Sequence, residues 1–166
     1  MSNETTVAEL FDLAIQCEQV CEKLYRELET DFAHVPELAK FWNKYAREEA
    51  GHARFLEGLR NETGKEKLSA FADASAIESA QAALQSSMEM GIRKIDDLED
   101  AYRLAVELEN SETNTVFDFL ITNYSADKHS QRFLRSQLKN HVANLTHDFP
   151  SKYNSIVTRR GVKAQG

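Results

Sequence analysis

Cysteine, proline and glycine are all scarce in this sequence of 166 residues, which holds two, two and six of them. The thiols, Cys17 and Cys21, lie four apart, and no Cys-x-x-Cys occurs, which excludes a disulfide framework and a cysteine-based zinc or iron–sulfur site. So few turn-forming residues argue against a turn-rich β-sandwich and against collagen-like or low-complexity chains. Basic residues are outnumbered, 20 against 27 acidic, and the formal charge of −7 argues against nucleic acid as a partner. No apolar run approaches the roughly 20 residues of a membrane span. Met1 to Thr6 have neither the positive nor the apolar region of a signal peptide. The length suits one domain with a sizeable core, expected to be soluble, acidic and cytoplasmic.

What is present is helical periodicity. Apolar residues recur every three or four positions, the spacing that places them on one face of a helix. A first helix is read from about Thr6 to Thr30 and a second from Pro36 to Leu59, since Pro36 suits a first helical turn. Gly64 is a plausible stop, residues 61 to 75 read as loop, and residues 76 to 90 as a shorter helix ending at Gly91. A third long helix runs from about Ile95 to Tyr124, its acidic start Asp96-Asp97-Leu98-Glu99-Asp100 matching the helix dipole. A fourth runs from Ala126 to Asp148, before Pro150. The expected fold is all-α: two antiparallel helical hairpins joined by one long crossover with a short helix in it, the ferritin-like form of a four-helix bundle. Residues 1–149 would be the bundle and residues 150–166 a basic, loosely ordered tail.

Each long helix interrupts its apolar stripe with a group able to bind metal. The first reads Phe11, Ala14, Glu18, Cys21, Tyr25, Leu28, and the second Leu38, Trp42, Tyr45, Glu49, His52, Leu56, Leu59. The third reads Leu98, Tyr102, Ala105, Glu109, Glu112, Val116, Phe119, and the fourth Leu134, Leu138, His141, Leu145. Depths agree as well: Glu18 lies as far before Asp31 as Glu49 lies after Pro36, roughly 20 Å along the axis in both cases. Glu109 and His141 are matched in the same way across the second hairpin. Four converging carboxylates would repel unless cations or protons intervened, and hard metal ions suit carboxylate oxygen and imidazole nitrogen. A polynuclear metal site follows, most simply two bridged ions. Taken singly, an inward Glu or His is more often a satisfied polar residue; the coincidence across four helices favours the metal. Cys17 and Cys21 read as buried packing residues, and Tyr25, Tyr45 and Tyr102 as core, with a hydrogen bond to a ligand as the functional option for them. His34, His129 and His147 fall near helix ends and should face solvent.

The pattern resembles the rubrerythrin-like branch of the ferritin-like di-iron carboxylate proteins over residues 8 to about 148. The resemblance rests on Ala14-x-x-x-Glu18-x-x-x-x-x-x-Tyr25, on Phe41-x-x-x-x-Ala46-x-x-Glu49-x-x-His52 and on Ala105-x-x-x-Glu109-x-x-Glu112. It implies that Glu18, Glu49, His52 and Glu109 ligate iron, and that Glu112 supplies a further ligand of the kind found in peroxidase members, making it the candidate catalytic residue. The fourth helix departs from the family, where a second Glu-x-x-His is expected. Keeping the stripe phase gives Leu138-x-x-His141, whereas anchoring on Phe133 puts His141 in the Glu place and Asn144 in the His place. Either way one carboxylate is missing. The paired Cys-x-x-Cys of a rubredoxin module is also absent from these residues, so the resemblance implies an external electron donor. The leading expectation is a di-iron oxidoreductase acting on peroxide or dioxygen, with manganese or zinc as other metals and a homo-oligomer left open. Metal storage, delivery or sensing without turnover is the second reading, and a helical module with a decayed site the third.

Overall fold

The structure is a computed structural model that describes residues 4–165, the side chain of Glu112 excepted. Thr6 opens α1 (Val7–Asp31) with a reciprocal cap: its hydroxyl accepts from the Glu9 amide while the Glu9 carboxylate accepts from the Thr6 amide. Pro36 stands at the first position of α2 (Pro36–Glu62), where its missing N–H is no loss. These two helices pack antiparallel along their length and bury Leu10, Phe11, Tyr25, Leu28, Leu38, Trp42, Tyr45 and Leu56 between the layers.

The crossover is more structured than a loop. It holds the short α3 (Lys65–Ser69) and then α4 (Ala74–Gly91), which Asp73 caps through the Ala76 amide. Backbone bonds Val7 N to Ala70 O and Ala72 N to Thr5 O, both 2.9 Å, fasten it to the start of α1. The small residues Ala76, Ala80 and Ala83 let α4 lie close on α1 and on the later helix at Glu112–Tyr124.

The third long helix is not continuous. It divides into α5 (Leu98–Glu109) and α6 (Glu112–Tyr124). Asn110 and Ser111 compete with the helical ladder: the Asn110 side chain donates to Val106 O, and the Ser111 hydroxyl caps the new helix by accepting from the Thr113 amide. Asn114 then donates to Glu109 O at 2.9 Å and ties the two pieces together. The break changes the buried face, so Ala101, Leu104 and Leu108 join the core before it, and Thr113, Val116, Phe117, Leu120 and Ile121 after it. Asp127 caps α7 (Lys128–Asp148).

The basic stretch after Pro150 is docked against the bundle. It forms a 3-10 turn at Ser151–Tyr153 and α8 (Ile156–Gly161). Three backbone bonds hold it: Leu98 N to Val162 O, Ala164 N to Asp96 O and Gln165 N to Asp31 O. Arg159 is buried against Glu99, donates to the carbonyls of Tyr153 and Asn154, and lies 4.7 Å above the Tyr102 ring. No described helix is long and apolar enough to cross a membrane.

Candidate metal centre

Midway along the bundle, α1, α2, α5 and α7 deliver Glu18, Glu49, His52, Glu109 and His141, all buried. Their helical spacing explains the meeting. Glu49 and His52 are one turn apart on α2 and so occupy the same face, while Glu18 enters from α1 at matching depth. The ligand atoms form two groups, each within 4.8 Å: Glu18, Glu49 and His52 in one, and Glu49, Glu109 and His141 in the other. Glu49 belongs to both. A carboxylate has two oxygens, so it can serve both groups as a bridge.

Nδ1 of His52 lies 3.6 Å from Glu18 and 3.5 Å from Glu49. In the other group, Nδ1 of His141 lies 2.7 Å from Oε2 of Glu109, whose Oε1 accepts the Tyr25 hydroxyl at 2.5 Å. Burial and the neighbouring charge of Glu18 push the Glu49 carboxyl up to about 7. Burial works against a charge on His52, yet the carboxylates of Glu18 and Glu49 outweigh it and raise the imidazole to about 11. Glu109 likewise raises His141 against its burial. Burial, then Glu109, lifts the Tyr25 hydroxyl well above the ordinary tyrosine range. Both oxygens of Glu18 and Nδ1 of His52 are buried without a hydrogen-bond partner among the described residues. Unpartnered buried polar atoms of this kind are costly in a protein interior, and a cation that takes the place of the His52 proton would satisfy all three. The donor set, carboxylate and imidazole, is the one iron, manganese and zinc accept.

A model of the rubrerythrin family matches residues 9–136 of the sequence. The chain belongs to the rubrerythrin family. The bundle is also similar to the crystal structure of a chain described as a ferritin-like diiron-carboxylate protein from Thermotoga maritima. The TM-score is 0.60 at 19% identity, over 89% of this chain and 96% of that one, a likeness of fold. No curated protein matches the sequence.

The fourth helix keeps the phase of its stripe. His141 and Leu145 are buried, while Asn144 and Phe133 face solvent, so the register that placed Asn144 inward does not occur. Leu138 packs with the apolar cluster around Phe11 and Phe117, and α7 contributes an imidazole with no carboxylate beside it. The side chain of Glu112, a candidate ligand and catalytic residue, lies outside the described residues. His34, His129 and His147 are exposed, and Cys17 and Cys21 are buried as free thiols. Two residues escaped the sequence reading. Thr113 has its hydroxyl buried and unpartnered, and lines the small cavity formed by Cys21, Tyr25, Glu49 and Glu109. Glu48 reaches His141 from outside the stripe. Thr113 stands out as polar within the buried face of α6 only once the break after Glu109 is known; Glu48 has no signal, because it looks like any surface carboxylate.

Proposed function

We propose that this protein is a dimetal oxidoreductase, iron being the first choice, that reduces peroxide or dioxygen with electrons from an external donor. The observation that carries the reading is the pair of buried ligand groups sharing Glu49. Glu18, Glu49 and His52 would hold one ion, and Glu49, Glu109 and His141 the other, with Glu112 as a further candidate. A bound redox-active pair supplies two electrons to an O–O bond and Lewis acidity to its oxygens.

The chain's own residues prepare that chemistry. Phe117, 4.8 Å from the His52 ring, and the Tyr25–Tyr45 pair wall the centre from water. Tyr25 holds its proton on Glu109 and fixes that carboxylate's rotamer. The cavity lined by Glu49, Glu109, Tyr25 and Thr113 measures about 10 Å³, near the room of a single water molecule. That size favours an oxidant of one or two heavy atoms over an organic substrate. Reduction of peroxide to two waters consumes two protons and two electrons.

Metal-free protein reconstituted with ferrous iron under nitrogen tests this reading. Two ions per chain are expected, with one peroxide consumed per pair and an oxidised-iron absorption band that a reductant removes. Protein that takes up no iron, or iron that peroxide leaves unchanged, would overturn it.

A further inference from the structure

An imidazole that binds a cation through one nitrogen carries its proton on the other, and when that N–H is buried it needs an acceptor. In His141, Nδ1 faces Glu109 and hence the group Glu49 shares. Nε2 points the opposite way, buried and without a hydrogen-bond partner, and 3.5 Å from it lies Oε2 of Glu48. From Lys128 to His147, α7 has no Asp or Glu of its own, so any carboxylate partner for this nitrogen must come from another element.

Glu48 is suited to that task by its place. It precedes Glu49 on α2 and therefore points about 100° around the helix from it, off the core stripe. Its side chain is 28% exposed; the outer side lines a surface cleft with Lys44 and Arg47, and the inner side meets His141. Closing 3.5 Å to hydrogen-bond length needs only a small torsion of the glutamate. With the site read as a metal centre, as proposed above, we propose that Glu48 is a positioning residue. Its carboxylate accepts the Nε2 proton of His141 and so keeps Nδ1 free for the ion held by Glu49 and Glu109. The fold thus supplies from α2 the support that α7, lacking a carboxylate, does not give its own histidine.

Cobalt(II) titration of the metal-free protein, followed by visible absorption, tests this on wild type, Glu48→Ala and Glu48→Gln. Glu48→Ala is expected to weaken one of two ions by about 10- to 100-fold and to leave the ion on Glu18, Glu49 and His52 nearly unchanged. Glu48→Gln keeps an oxygen that accepts from N–H, and should bind close to wild type. Nitrogen shifts of His141 in the zinc-loaded protein should show the proton on Nε2 in wild type and Glu48→Gln, and lose that assignment in Glu48→Ala. Unchanged binding of both ions by Glu48→Ala would overturn the proposal while the dimetal reading stands. Glu48→Gln as weak as Glu48→Ala would overturn it in favour of a charge effect. Wild type that takes no cobalt, zinc or iron would remove both.

Discussion

Glu49 carries more than its neighbours because, among the described residues, it is the one side chain common to both ligand groups. Substitutions should therefore sort by group. Glu49→Ala is expected to cost both ions, Glu18→Ala mainly the first, and His141→Ala mainly the second, whereas His129→Ala should cost neither; metal content per chain after dialysis checks each. Equal loss in Glu18→Ala and His141→Ala would contradict two separable positions. The residues that meet at this point were readable because each interrupts a strict apolar stripe, and a polar group there has nowhere to go but inward. Glu48 was not readable, since its role depends on the reach of an off-stripe side chain across to α7. Thr113 was hidden for another reason: the break after Glu109 moved the buried face, and a stripe continued from α5 passes it by.

Elements were legible where period and caps agreed, as in α1 with Thr6 and Glu9, or α2 with Pro36. The division of the third helix was not, because Asn110 and Ser111 sit inside a period that runs through them, and only the side-chain bonds to Val106 and Thr113 reveal the stop. Ser111 can be tested directly. Ser111→Ala removes the N-cap of α6 and should cost about 1 kcal/mol, a fall of about 2–4 °C in Tm for a chain of this size. No fall would mean that Asn110 alone makes the break. The docked tail escaped prediction because short segments held by backbone pairing have no period to read. Arg159→Leu leaves Glu99 with Arg103 alone, 3.5 Å away, and should destabilise by about 1.5–3 kcal/mol, whereas Arg159→Leu with Glu99→Leu should recover much of that loss. Denaturant melts of the two variants decide it: equal instability would point to the carbonyl bonds of Arg159 in place of the ion pair.

For the molecule as a whole, a cation at this cluster is expected to compete with protons for Glu49 and His52, so that pH sets its effect on stability. Glu49 is raised from an ordinary 4.5 to about 7, so the metal-free fold prefers its proton; that contribution is present below 4.5 and lost as pH rises through 7. His52 is raised from 6.5 to about 11, so the stability its proton brings is full below 6.5 and disappears as pH climbs through 11. Both act in one direction between pH 6 and pH 8: folded Glu49 gives up its proton near 7, while His52 loses its proton in the unfolded chain around 6.5 and keeps it in the fold. The metal-free protein should therefore melt at a lower temperature at pH 8 than at pH 6. Cations act oppositely, because they need Glu49 ionised and His52 neutral, and bind better as pH rises. An ion present at one hundred times its Kd adds about 2.7 kcal/mol to the folded state, worth roughly 5–10 °C at this chain length. The gap in Tm between metal-loaded and chelator-treated protein should accordingly widen from pH 6 to pH 8. Calorimetry at the two pH values measures it. A gap that stays constant or narrows would show that the ion does not displace protons from Glu49 and His52, and would place the bound metal elsewhere on the chain.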